Sequence, residues 1–159
     1  MNPKGPFMTT TVSIRRANPR DVPTIAEYNI ALASETEDRR LQETTVTDGV
    51  RHFLEHSEFG FYIIAEIEGK PAAQTMITYE WSDWRNGVIW WIQSVYVSKA
   101  YRRRGLYRKL YEFVKTSAQN DGGVREIRLY VDRENVAAQH TYEALGMQRS
   151  HYLLYEAEV

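Results

Sequence analysis

The order of segments in this 159-residue sequence predicts an α/β fold, a mixed sheet with helices packed on it. Three observations carry that expectation. The run VIWWIQSVYV at 88–97 is almost wholly apolar and aromatic, as in a mid-sheet strand buried on both faces. A basic turn with one glycine, YRRRGLY at 101–107, follows it and leads into a helical pattern. Along the chain the segments alternate as β-α-α-β-β-β-α-β-α-β.

Each element has its own local reason. TVSIRRA at 11–17 alternates and is β-branched, so it reads as a strand. NPRDVPTIAEYNIAL follows, with Asn18 placed to cap a helix and Pro19 suited to its first position. Val22, Ile25, Ala26 and Ile30 then recur at helical spacing. The polar stretch 34–45 reads as a loop, and TDGVRHFLEH as a second short helix with Val50, Phe53 and Leu54 on one face. A hairpin is expected next, with strands at 61–67 and 72–81 joined through Glu68-Gly69-Lys70. Asn86-Gly87 is the strongest hairpin signal in the chain and leads into the apolar strand. Beyond the basic turn come a helix at 106–119 closed by Asp121-Gly122-Gly123, and a strand REIRLYV. A helix NVAAQHTYEALG between Asn135 and Gly146 follows, and a last strand or strand pair in MQRSHYLLYEAEV. The length suits one domain at 11–159 behind a flexible leader at 1–10.

Composition narrows the function. Hydrophobic residues are 43% and charged residues 26%, ordinary for a globular domain, and the formal net charge is -1. Six basic residues between Lys99 and Lys109 are therefore a local feature, which argues against a dedicated nucleic-acid binder. The absence of cysteine excludes disulfides, thiolate metal sites and a cysteine nucleophile, and suits a reducing, cytoplasmic setting. No stretch approaches the ~20 apolar residues of a membrane span.

A strand–glycine–helix turn puts backbone N–H groups and a helix dipole at one place, which makes an anion site. Gly105 admits a phosphate close to the backbone, and arginines add charge-assisted hydrogen bonds. The turn lacks the Gly-Lys-Ser/Thr of a nucleotide P-loop and the three glycines of a dinucleotide fingerprint.

In context the segment resembles the Gcn5-related N-acetyltransferase (GNAT) superfamily. The family's R/Q-x-x-G-x-G/A motif is matched by Arg102, Arg103, Arg104, Gly105, Leu106 and Tyr107, with tyrosine where glycine or alanine is usual. Its later N-x-x-A-x-x-x-Y-x-x-x-G-F is matched by Asn135, Ala138, Tyr142, Gly146 and Met147. The resemblance is sharp over 88–147 and looser over the rest. It implies a mostly antiparallel sheet splayed between strands four and five and flanked by about four helices. It implies acetyl-CoA as cosubstrate and no metal. By position, the amides of residues 103–108, Arg108 included, would cradle the pyrophosphate, with the Tyr107 ring turned outward. Val95, Tyr96 and Val97 would bond the pantetheine along the strand edge, and Asn135, also an N-cap, would help place that arm.

Acetyl transfer needs a neutral amine, a polarised carbonyl and a proton for the leaving thiolate. A backbone N–H near Val95 could polarise the carbonyl. Tyr142 is the candidate acid, since a phenol of pKa ~10 is protonated at neutral pH. Trp91 and Gln93 face inward on the fourth strand and cannot accept a proton usefully, so the base falls to Glu80, with Glu35, Glu37 or a water chain as alternatives. Tyr79, Trp81, Trp84, Trp90 and Trp91 with nearby carboxylates suit a cationic small-molecule or peptide amine, though Trp90 and Trp91 also suit plain packing. Neither nucleic acid nor membrane is an expected partner, and family habit allows a homodimer. A catalytically silent acyl-CoA sensor is the competing reading.

Overall fold

The computed structural model describes residues 11–159, so the leader expected at 1–10 lies outside the described residues. The chain divides into two compact units, one ending at Leu129 and one spanning Tyr130–Val159. This boundary falls inside the span expected to be one domain.

The first unit holds one five-stranded sheet in the order β1 Val12–Arg16, β2 Gly60–Ile67, β3 Lys70–Ser82, β4 Gly87–Val97 and β5 Val124–Leu129. Neighbours are antiparallel except β4 and β5, which run parallel. The β2–β3 hairpin turns through Glu68 and Gly69, both at positive φ (51° and 75°), the twist that tight hairpins require. Arg15 of β1 forks onto Asp21 at 2.8 Å and onto Glu66 of β2 at 2.6 Å. Asn18 and Asp21 cap each other reciprocally at the turn that follows β1.

Helix α1, Val22–Glu37, and helix α2, Glu43–Glu55, are longer than expected and leave only residues 38–42 between them. The polar end of α1 stays helical because Thr36 returns its hydroxyl to the Leu32 carbonyl, and Asp38 at φ 51° closes the helix. Val22, Ile25 and Val50 from these helices pack on Tyr62 and Ile64 of β2, with Phe53 and Met76 at the rim. By strand alternation Phe61, Ile63 and Ala65 point the other way and are also buried. Helix α3, Leu106–Asp121, offers the buried stripe Leu106, Leu110, Val114 and Ala118 at spacing four and meets β2, β3, β4 and β5.

The mid-sheet expectation for β4 holds at Ile89, Trp90 and Ile92, which are buried, and loosens beyond Ile92. Pairing with β5 runs from Val88↔Val124 to Ile92↔Leu129 and stops there. Among the described residues, positions 93–97 of β4 have no strand partner on that side, so the sheet opens between β4 and β5.

In the second unit Asn135 caps helix α4, Val136–Ala144, and Gly146 at φ 87° ends it. The last strand expected in MQRSHYLLYEAEV does not form: residues 148–159 carry neither helix nor strand. A strand exists only by pairing, and this unit contains no other strand to pair with. Among the described residues no helix is long and apolar enough to cross a membrane.

Candidate active site

The open edge of β4 is shaped by a bulge. Gln74 lies opposite Tyr96 and Met76 opposite Gln93, so the single residue Thr75 faces both Ser94 and Val95. Ser94 takes the left-handed conformation, φ 48°. Thr75 Oγ1 donates to the Gln93 carbonyl at 3.2 Å. The Ser98 N–H bonds Ala72 of β3, and by alternation Tyr96 faces β3 as well. Val97, and across Tyr96 also Val95, turn their backbone groups to the open side. An extended ligand carrying amides could continue the sheet there.

The basic turn begins just past that edge. After a 3₁₀ turn at Lys99–Tyr101, Arg103 and Gly105 adopt positive φ, 63° and 71°, and α3 starts at Leu106. The first ladder bond of α3 runs from the Lys109 N–H to the Gly105 carbonyl. The N–H groups of the first turn of α3 precede it, at the positive end of the helix dipole. A Cβ added at Gly105 would meet no heavy atom within 4 Å among the described residues, so the approach to these amides is open.

Charge around the turn is unevenly committed. Arg103, Arg104 and Arg108 are exposed, and the Arg104 guanidinium lies 5.5 Å over the Tyr101 ring. Arg102 is engaged: Nε donates to the Val97 carbonyl at 2.9 Å and Nη2 to Glu35 at 2.6 Å. Glu35, near the end of α1, also accepts from the Tyr96 hydroxyl at 3.0 Å and lies 3.5 Å from Lys99 Nζ. The Arg102 guanidinium holds the Glu35 carboxyl below its ordinary value. Burial, and then the nearby Glu35 carboxylate, push the Tyr96 phenol up. Leu106 is buried, leaving only its backbone for a ligand. Tyr107 is half-buried instead of turning outward, because the first turn of α3 sits against the protein.

Glu80 does not lie near the bulge. It pairs with Ile89, five positions along β3 from Thr75, or about 17 Å at the usual strand rise. Its carboxylate accepts from the Trp91 indole at 2.5 Å and from Arg128 at 3.5 Å. The expectation that Glu80 serves as base thus concerns a carboxylate well along β3 from the bulge. Of the other residues singled out, Trp90 is buried against Phe61 and Tyr79, while Trp81 and Trp84 are exposed. The His52 and His56 rings lie 4.3 Å apart, tilted by 43°, at the end of α2.

In the second unit Asn135 Oδ1 accepts the Ala138 N–H at 3.0 Å, so its capping role is real. Tyr142 stands seven residues on, nearly two full turns, and so shares a face of α4 with Asn135. Burial pushes its phenol up, which keeps it protonated at neutral pH. Sequence reasoning missed the bulge and the side chains beneath it. The polar pair Gln93-Ser94 inside an apolar strand was the signal that could have found it.

A mixed sheet opened beside a glycine turn at a helix N-terminus sets a strand edge and an anion site side by side. A family model described as "Acetyltransferase (GNAT) family" matches residues 24–147, a span that crosses the boundary between the two units. The chain belongs to the GNAT acetyltransferase family. It is similar to the crystal structure of a possible acetyltransferase from Clostridium difficile 630, at 44% identity and a TM-score of 0.88, covering 93% of this chain and 97% of that one. The fold recurs in a predicted acetyltransferase with acetyl-CoA from Clostridium acetobutylicum, at 16% identity and TM-score 0.76, over 92% and 96% of the two chains. It recurs again in an aminoglycoside N-acetyltransferase in complex with CoA, at 17% identity and TM-score 0.74, over 99% of each. A search of curated proteins finds no match.

Proposed function

We propose that this protein is an acetyl-CoA-dependent N-acetyltransferase that hands the acetyl group to a primary amine by direct attack in a ternary complex. The observation that carries this reading is the adjacency of two ligand-ready surfaces. A strand edge at 93–97 without a strand partner among the described residues runs directly into a turn that starts a helix and carries exposed arginines. The donor set suits coenzyme A: a helix N-terminus and guanidinium groups for a diphosphate, and an edge of alternating donors and acceptors for an amide-bearing arm.

Acetyl-CoA supplies an activated thioester. The amides of residues 103–108 bind its diphosphate, with charge from Arg103, Arg104 and Arg108. Val95, Tyr96 and Val97 present the edge for the pantetheine arm, and Asn135 steadies that arm. The Val95 N–H is aimed where negative charge develops on the carbonyl oxygen. Tyr142, protonated at neutral pH, gives its proton to the departing thiolate, and water restores it. Near the bulge Glu35 is tied to Tyr96 and Arg102, so the amine's proton passes to water. The acceptor is a small-molecule or peptide amine, cationic in solution, and the setting is cytoplasmic.

The test is release of free thiol from acetyl-CoA across polyamines, aminoglycosides, amino acids and peptides, with acetyl-CoA binding measured by calorimetry. Turnover with any acceptor is expected; failure to bind acetyl-CoA would overturn the reading. A silent acyl-CoA sensor is favoured by one observation, the engagement of Glu80 by Trp91 and Arg128 and of Glu35 by Arg102. Binding without consumption across the panel would select it.

A further inference from the structure

One hydroxyl stands in an otherwise apolar row beneath the bulge, and the mechanism above does not use it. Thr75 on β3 is 1% exposed. By alternation it shares its face of the sheet with Ala73 and Ile77, and it pairs with Ile63 of β2; all three neighbours are fully buried. Valine would fill that place with the same shape and no polar atom to satisfy. A hydroxyl in such surroundings is kept where it has a bond to make, and Thr75 Oγ1 makes it to the Gln93 carbonyl of β4, at 3.2 Å. Gln93 is moored a second time from the same strand: its Nε2 donates to Thr78 Oγ1 at 2.6 Å.

The position of that carbonyl decides what the bond controls. The Gln93 C=O and the Ser94 N–H lie in one rigid peptide plane, and φ of Ser94 is the rotation about the next bond. Holding the carbonyl therefore fixes the plane from which the chain turns into the left-handed conformation at Ser94, φ 48°. A non-glycine residue stays in that region only when its surroundings enforce it. Ser94 is the one residue of β4 with positive φ, and ladder pairing resumes at Tyr96 opposite Gln74. The excursion of the strand is thus confined to Ser94 and Val95, and its starting plane is tied to the side chain of the one β3 residue that faces both.

We infer that Thr75 is a positioning residue: its hydroxyl fixes the Gln93–Ser94 peptide plane, holds Ser94 left-handed and so aims the Val95 N–H to the open side of β4. This rests on the proposed role of that N–H in polarising the thioester. Thr75 touches no reactant and acts through the β4 backbone.

Thr75→Val keeps the shape of the side chain and removes its donor. Deleting an oxyanion donor outright lowers turnover about 100- to 1,000-fold, and misaiming one lowers it less, so Thr75→Val should cut kcat roughly 10-fold. KM for acetyl-CoA should stay within about twofold, because Val97 and the glycine turn are untouched. Thr75→Ser keeps the donor and loses a methyl group, and its kcat should stay within about threefold of the parent. Undiminished kcat in Thr75→Val, or equal losses in the two variants, would make Thr75 a packing residue and overturn the inference. Glycine adopts the left-handed region unaided, so in a Ser94→Gly background the further change Thr75→Val should lower kcat by less than about twofold. A loss of about 10-fold there as well would overturn the inference, and this comparison decides the matter if Thr75→Val alone does not fold. A last measurement is free of activity. In ligand-free ¹⁵N-labelled protein, the coupling between the amide and α protons of Ser94 reads φ directly. It should leave the parent value in Thr75→Val and keep it in Thr75→Ser, and an unchanged coupling in Thr75→Val would overturn the inference whatever the turnover. A parent protein that fails to release thiol from acetyl-CoA would instead sink the transferase reading, and the coupling comparison would still decide this one.

Discussion

Gly105→Ala adds one methyl group where the ligand-free protein has room for it. No heavy atom among the described residues lies within 4 Å of the added carbon, so no packing is disturbed. The cost comes from the backbone. At φ 71° an L-residue is disfavoured by about 1–2 kcal/mol. Reduced freedom of the unfolded chain returns ~0.4–1 kcal/mol. The net loss is about 1 kcal/mol, a fall in Tm of roughly 2–4 °C for a chain of this size. Ligand binding should suffer far more. If the diphosphate sits on these amides, the methyl occupies its approach and displaces at least one charge-assisted hydrogen bond, about 1.5–3 kcal/mol. Acetyl-CoA should then bind roughly 10- to 100-fold more weakly by calorimetry. S-acetylpantetheine, which lacks the diphosphate, should bind variant and parent alike. Unchanged acetyl-CoA affinity alongside the small Tm shift would refute the placement of the diphosphate at Gly105.

Tyr142→Phe should lower kcat about 100-fold, as removal of a general acid does, and leave acetyl-CoA affinity unchanged; undiminished turnover would remove Tyr142 from the chemistry. Glu35→Gln releases Arg102 and Tyr96 from a shared carboxylate, so KM for acetyl-CoA should rise roughly threefold to tenfold with kcat retained, and an unaltered KM would show that the clamp does not shape the turn. Asp21→Asn should cost about 1–2 kcal/mol at pH 7, less than a fully buried pair because Arg15 is part-exposed and keeps Glu66. The Arg15 guanidinium holds the Asp21 carboxyl below the ordinary aspartate value. Its stabilisation is therefore complete above about pH 4 and fades as pH falls through the lowered value. Denaturant titrations at pH 7 and pH 3 should show the gap between parent and variant shrinking in acid, and a constant gap would contradict the assignment.

What could be read from the sequence was local. Asn135 and Gly146 bracket α4 because caps act within a few residues, and Gly105 marks its turn for the same reason. The apolar strand at 88–97 announced a central position through composition alone. The end of α1 was missed because Ser34, Glu35, Thr36 and Glu37 carry no apolar signal and are held by backbone and hydroxyl bonds. The start of α2 was missed because Gln42 provides no side-chain cap. A final strand was expected from alternation, but a strand depends on a partner that alternation cannot supply. Gly105 and its arginines were legible as a turn at a helix start. The tie from Glu35 to Arg102 was not, since it joins positions 67 apart. That Glu80 lies near the end of β3 was legible, but its distance from the bulge appears only in the register.

An unpaired strand edge invites a strand from another chain, and such edges are a common route to aggregation. Residues 93–97 of β4 form one, but it is short, bent at Ser94, and carries a guanidinium seated on the Val97 carbonyl. A peptide strand docking here would have to strip a charge-assisted bond and follow a kinked template. A slim, flexible arm need do neither, since it can bond Val95 and share the second lone pair of the Val97 oxygen. Under the proposed placement of the pantetheine arm, Arg102 would discourage self-association through this edge while leaving it open to the ligand, a discrimination by stiffness and girth.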